Sequence, residues 1–81
     1  RKGLKRQSKP DMTEVPSPIT GSVWRILVED GASISEGETI VILESMKMEI
    51  RVKSPHNGRV VEIRVKEGDS ILEDDIIAII D

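Results

Sequence analysis

No cysteine, tyrosine or phenylalanine occurs in this sequence, and tryptophan and histidine occur once each. Without cysteine there is no disulfide and no thiolate metal site. The lone His56 cannot complete a histidine-based zinc site, and no Ser/His/Asp constellation is present, so no resident metal and no catalytic apparatus is expected. A single aromatic, Trp24, speaks against a base-stacking platform for single-stranded nucleic acid. No apolar run approaches the ~20 residues needed to span a bilayer, and no signal-peptide core is present, so neither membrane insertion nor secretion is supported. Nothing fixes the redox compartment, although the composition suits a cytosol or an organellar matrix.

What remains is one small domain of 81 residues with a formal net charge of −3. That charge is unevenly split. Residues 1–10 hold Arg1, Lys2, Lys5, Arg6 and Lys9 and no acid, which leaves 7 basic against 15 acidic side chains, a net of −8, on the other 71 residues. Residues 1–13 lack periodicity and read as a disordered basic linker, with a domain over 14–81. A chain opening on Arg1 reads as a fragment or a processed product. The apolar set is one-sided: 12 Ile and 8 Val against 4 Leu, 3 Met and 2 Ala. β-branched residues suit a pleated surface better than a helix, so the core is expected to be all-β and, in isolation, monomeric.

The chain repeats itself. Residues 15–44 align with 52–81 at an offset of 37 without a gap, with 13 identities in 30 positions. Ser17-Pro18 meets Ser54-Pro55, Gly21 meets Gly58, and Val23, Ile26 and Val28 meet Val60, Ile63 and Val65. Gly31 meets Gly68, Ser33-Ile34 meets Ser70-Ile71, and Ile40 and Ile42 meet Ile77 and Ile79. Each copy reads as a Ser-Pro turn, a strand (Val23–Val28 or Val60–Val65), a glycine turn and a closing apolar run (Thr39–Glu44 or Ile76–Asp81). In the second strand Val and Ile should face inward with Glu62 and Arg64 outward, the period-2 mark of a half-buried strand. Two strand-turn-strand copies make a closed or sandwiched pair of sheets with approximate two-fold symmetry. Neither copy could bury its apolar face alone, so the two should interlock.

Between the copies, Ser45-Met46-Lys47-Met48-Glu49-Ile50-Arg51 has no counterpart. The run Thr39–Glu44 hands over to Met48–Lys53, where Met48, Ile50 and Val52 alternate with charged residues, so a β-hairpin forms with its tip at Met46-Lys47. Hairpin tips favour Asn-Gly or Asp-Gly. A Met and a Lys here imply strain that holds a lysine in a prominent place, and local rules tend to be broken at functional sites. A solvated lysine that blunts aggregation would account for Lys47 alone. The flanking thioethers favour a recognition surface, since Met packs adaptably.

The hexapeptide Glu44-Ser45-Met46-Lys47-Met48-Glu49 resembles the attachment motif of biotinyl domains, the biotin carboxyl carrier family, whose usual form is Ala-Met-Lys-Met. The resemblance covers about 15–81, including Gly31-Ala32-Ser33-Ile34-Ser35-Glu36-Gly37 and its echo Gly68-Asp69-Ser70-Ile71. It implies a flattened barrel-sandwich of two four-stranded antiparallel sheets, with the attachment lysine on the hairpin tip and the termini at the opposite end. It implies that a biotin protein ligase loads Lys47, with Met46 and Met48 recognised by the ligase and Glu44, Ser45 and Glu49 flanking. The chain would be a non-catalytic carrier, taking a carboxyl group from a biotin carboxylase to a carboxyltransferase acting on an acyl-CoA or a 2-oxo acid. Lysine suits the role because its amine, once deprotonated, is a nucleophile on a flexible stem.

Ser45 departs from the usual Ala, and Asp74 stands where Gly37 sits in the first copy, so the second turn should differ. The stretch Glu29 to Glu38 leaves no room for the protruding thumb of some bacterial carriers, which suggests a thumbless type. Alternatives are a lipoyl carrier of a 2-oxo-acid dehydrogenase complex, whose tip typically reads Asp-Lys-Ala, and an unmodified structural domain. His56 reads as a turn residue, Trp24 as partly buried, and Glu73-Asp74-Asp75 as a solvated turn. Biotin on Lys47 would remove one positive charge, so the acidic body is expected to meet basic partner surfaces. The acceptor substrate is not legible.

Overall fold

The computed structural model describes residues 12–81, so of the expected linker residues 1–11 lie outside the described residues. The first strand takes in Thr13, whose backbone pairs with Ile80 and whose hydroxyl meets His56 Nε2 at 2.8 Å. The described residues form eight strands and no helix: β1 Thr13–Pro16, β2 Gly21–Ile26, β3 Ser33–Ile34, β4 Thr39–Ser45, β5 Met48–Lys53, β6 Gly58–Ile63, β7 Ser70–Ile71 and β8 Ile76–Ile80. They build two four-stranded antiparallel sheets, ordered β1-β8-β6-β3 and β5-β4-β2-β7. The 37-residue offset turns β1, β2, β3 and β4 into β5, β6, β7 and β8, and so turns the first sheet into the second. Each sheet takes two strands from each copy, which is how the copies interlock.

Equivalent hydrogen bonds carry that symmetry into the loops. Ser17 Oγ donates to Ile19 O, and Ser54 Oγ to His56 O, both at 2.6 Å. Glu67 accepts the amide of Ile26 at 3.0 Å and Asp30 that of Ile63 at 2.8 Å. These crossed carboxylates satisfy the amides at the ends of β2 and β6, which stop two residues short of the expected Val28 and Val65. One residue in each of β2 and β6 is extra to the ladder, Trp24 and Val61, and so are Ile40 in β4 and Ile77 in β8. A bulge turns the following side chains over. That is why Glu62 faces outward like Val61 before it, and why Val60 and Ile63 share the inner face where strict alternation would put Val61 with Ile63.

The core lies between the sheets. Val23, Ile40, Val41, Leu43, Val60, Ile77, Ala78 and Ile80 are sealed from solvent, with Ile26, Ile50 and Ile63 packed around them. Of the closed and sandwiched arrangements that the repeat allowed, the sheets form the sandwich: β1 and β5 do not pair, and the opening between them is lined by Val15, Pro16, Pro18, Val52, Lys53 and Pro55. Pro16 has no N–H to donate across that edge. One expectation needs correction: the second turn does not differ from the first, since Asp74 adopts φ 75° where Gly37 has 83°. Aspartate tolerates the left-handed region, and the Asp74 amide donates to Ser17 O at 2.8 Å as the Gly37 amide does to Ser54 O at 2.9 Å.

Candidate functional site

The hairpin β4–β5 closes on two residues. Ser45 pairs with Met48, Glu44 with Glu49 and Leu43 with Ile50, leaving Met46 and Lys47 as the turn. Met46 has φ 53° and Lys47 φ 68°. A two-residue loop with both centres left-handed is the type I′ turn, whose twist matches that of the flanking strands. For side-chain-bearing residues this conformation costs about 1–2 kcal/mol each. Geometry that suits Asn-Gly is thus imposed on Met-Lys, as the sequence implied.

Burial separates anchor from tip. Leu43 is sealed in the core and Ile50 packs against it, which roots both strands. Met46, by contrast, is 91% exposed and Met48 59%. Met48 therefore does not cap the core, and both thioethers flank Lys47 in solvent. Glu44 and Glu49 lie directly opposite one another on the outer face just behind the tip, both exposed. Like charges in that arrangement destabilise a hairpin. Ser45 is only partly exposed.

One supporting residue escaped the reading of the motif. A Cβ on Gly21 would lie 2.5 Å from Glu44 O and 3.3 Å from Ser45 Cβ, so the absence of a side chain lets β2 pass close beneath the hairpin. Its recurrence at Gly58, which approaches Asp81 O, was the available signal. Strand β5 leads away from the tip over six residues, about 20 Å, to the turn before Gly58. The C-terminus therefore lies at the opposite end, beside Gly58 and Arg59.

The other candidates fall elsewhere. His56 holds the turn after β5: its Nδ1 lies 2.7 Å from Asn57 O, so that nitrogen carries the hydrogen and Nε2 accepts from Thr13. In the run 73–75, the Asp75 carboxylate accepts the Leu72 amide at 2.8 Å, and the Glu73 amide donates to Thr20 Oγ1 at 3.0 Å. Trp24 stands at its bulge, 40% exposed, with the Arg25 guanidinium 4.7 Å from the ring centre.

Comparisons with known proteins agree with this geometry. The biotin/lipoyl attachment family model, described as "Biotin-requiring enzyme", matches residues 12–80. The 1.3S subunit of methylmalonyl-CoA carboxyltransferase from Propionibacterium freudenreichii subsp. shermanii is 47% identical over 36 residues, 44% of this chain and 29% of that subunit. A biotinylated protein TB7.3 homolog from Mycolicibacterium smegmatis is 51% identical over 39 residues, covering 48% of this chain and 55% of that protein. Among solved structures, the urea carboxylase of Kluyveromyces lactis superposes with a TM-score of 0.83 at 31% identity, over 94% of this chain and 7% of that one. The chain thus spans only part of the length of each of these relatives.

Proposed function

The chain belongs to the biotin/lipoyl attachment family, and from that premise we propose that it is a biotin carboxyl carrier whose attachment residue is Lys47. The observation that carries the assignment is the type I′ tip, where two left-handed, side-chain-bearing residues hold Lys47 beside an almost fully exposed Met46. Nothing in the packing of the fold uses those side chains, so their retention at a conformational cost points to recognition from outside.

Loading by a biotin protein ligase would run through the Lys47 amine. Nζ attacks the acyl carbon of biotinyl-adenylate, an amide forms, the acyl–phosphate bond breaks, AMP departs and the amine gives up its proton. Once attached, biotin supplies a ureido nitrogen that accepts and releases a carboxyl group. The chain's own residues root the arm: Leu43 and Ile50 fix the hairpin while the lysine stem lets the group reach a biotin carboxylase and then a carboxyltransferase. Tethering raises the effective concentration at each partner. An acyl-CoA or a 2-oxo acid would be the acceptor, and the working site a cytosol or organellar matrix, where ATP is available.

Met46 and Met48 favour this over a lipoyl carrier, and relatives described as biotinylated or as biotin carboxyl carriers support it. Co-expression with a biotin ligase, followed by intact mass, tests the proposal. The expected increment is that of one biotinyl group, absent from Lys47→Arg. An increment only with a lipoate ligase would transfer the chain to acyl transfer.

A further inference from the structure

The internal symmetry supplies a control for what the fold requires. Core positions keep their apolar character between the copies, identically in Val23 with Val60, Ile26 with Ile63 and Ile40 with Ile77, and with a change of size or shape in Val41 with Ala78 and Leu43 with Ile80. The outer faces do not. On the sheet that carries the hairpin, a row across three strands reads Arg51–Ile42–Arg25. The equivalent row on the other sheet reads Glu14–Ile79–Glu62. Both isoleucines are 7% exposed, so either pair of flanking side chains covers them equally well. At the adjoining bulge, Trp24 on the first face replaces Val61 on the second. The fold is thus satisfied by Glu and Val where the hairpin sheet carries Arg and Trp.

Three further observations say what the first face suits. Glu62 is engaged by Arg64 at 3.1 Å, whereas neither Arg25 nor Arg51 has a carboxylate within ion-pair reach among the described residues. This leaves a basic row on an otherwise acidic body. Arg25 is held over the Trp24 ring at 4.7 Å with Nη1 donating to Trp24 O at 3.2 Å, which fixes the guanidinium and leaves its remaining N–H groups for a carboxylate. Finally, Glu44 and Glu49 lie on the same outer face as Ile42 and Arg51, so the row continues into the tip. An enzyme that grips the tip from this side also covers the row.

We infer that the Arg51–Ile42–Arg25 row with Trp24 is a docking face for a surface carrying paired carboxylates, about 10 Å apart to match the arginines two strands apart, beside the active site of the biotin carboxylase that the arm enters. Tryptophan and arginine are the residue types that most often dominate such contacts. This reverses, for one face, the expectation that the acidic body meets only basic partner surfaces. The inference rests on the carrier reading, and it names the partner surface that reading leaves open. The carboxylase is the occupant chosen because relatives of this chain are described as carboxylases of unlike acceptors, urea, 2-oxoglutarate and methylcrotonoyl-CoA among them, so a surface common to them is not one that selects the acceptor.

The test uses the chain loaded with biotin as the substrate of a purified biotin carboxylase, with free biotin as a second substrate. Mass after loading checks the carrier reading first, and absence of any loaded chain counts against that reading and not against the docking face. Arg25→Glu with Arg51→Glu is expected to raise KM for the loaded chain by about tenfold or more with kcat and free-biotin turnover unchanged, while Arg25→Lys with Arg51→Lys recovers part of the loss. Glu14→Arg with Glu62→Arg, on the equivalent face, is expected to leave KM within about twofold. An unchanged KM in the first variant, or equal harm from the second, overturns the inference. Thermal melts of each variant keep a folding defect from passing as a docking defect.

Discussion

Replacing Met46 with asparagine should stabilise the domain while impairing its use as a carrier. Met46 holds φ 53° and is 91% exposed, so its side chain contributes almost nothing to packing. The left-handed conformation costs a residue of this kind about 1–2 kcal/mol, and asparagine recovers much of that through local hydrogen bonding. A net gain of about 1 kcal/mol corresponds to a rise of about 4–8 °C in Tm for a domain of this size. Met48 lies in β5 without a positive φ, and Met48→Asn supplies the comparison; it should give no gain, since asparagine is a poor strand residue. Circular-dichroism melts of both variants, with ligase loading rates measured alongside, separate the two effects. A Tm for Met46→Asn equal to or below the parent's would refute the claim that the tip stores strain. Unimpaired loading would refute the claim that strain is kept for recognition.

Three other perturbations follow from the symmetry and the core. Gly21→Ala and Gly58→Ala each drive a Cβ into a carbonyl, of Glu44 and Asp81 respectively. Both should lose about 1–3 kcal/mol in urea unfolding, but only Gly21→Ala, beneath the hairpin, should also slow loading. Leu43→Ala should cost about 3 kcal/mol, a large share of the about 4–10 kcal/mol expected for some 70 folded residues, and should lower the urea midpoint accordingly. Ser17→Ala and Ser54→Ala each remove a buried hydroxyl bonded at 2.6 Å. Each should cost about 1–2 kcal/mol, and a large inequality between them would show that the two halves are not energetically equivalent.

Much of this architecture was legible because the chain states it twice. The 37-residue offset supplied the paired Ser-Pro turns, the glycine turns at Gly31 and Gly68, and the strands around Val23 and Val60. The hairpin tip was legible because the alternation of Met48, Ile50 and Val52 forces a register that leaves two residues over. The bulges were not. A bulge is a property of the ladder, and the adjacent apolar pairs Val23-Trp24 and Val60-Val61 read equally well as strand. From the missed bulge comes the incomplete reading of Trp24, which faces outward with Arg25. The turn at Asp74 was misjudged because aspartate was weighed by identity and not by its tolerance of positive φ. The open edge between β1 and β5 had its signal in Pro16, whose missing donor argues against closure.

The central claim, that Lys47 is the residue that takes biotin, meets its most direct test in peptide mapping of the chain after ligase loading. Trypsin cannot cut after an acylated lysine, so loading at Lys47 should yield an uncut peptide from Ile26 to Arg51 that carries the whole biotinyl increment. The same peptide from unloaded chain should be cut after Lys47. An increment on Lys53, on Lys66 or within residues 1–11, or none after exhaustive loading, would contradict the account.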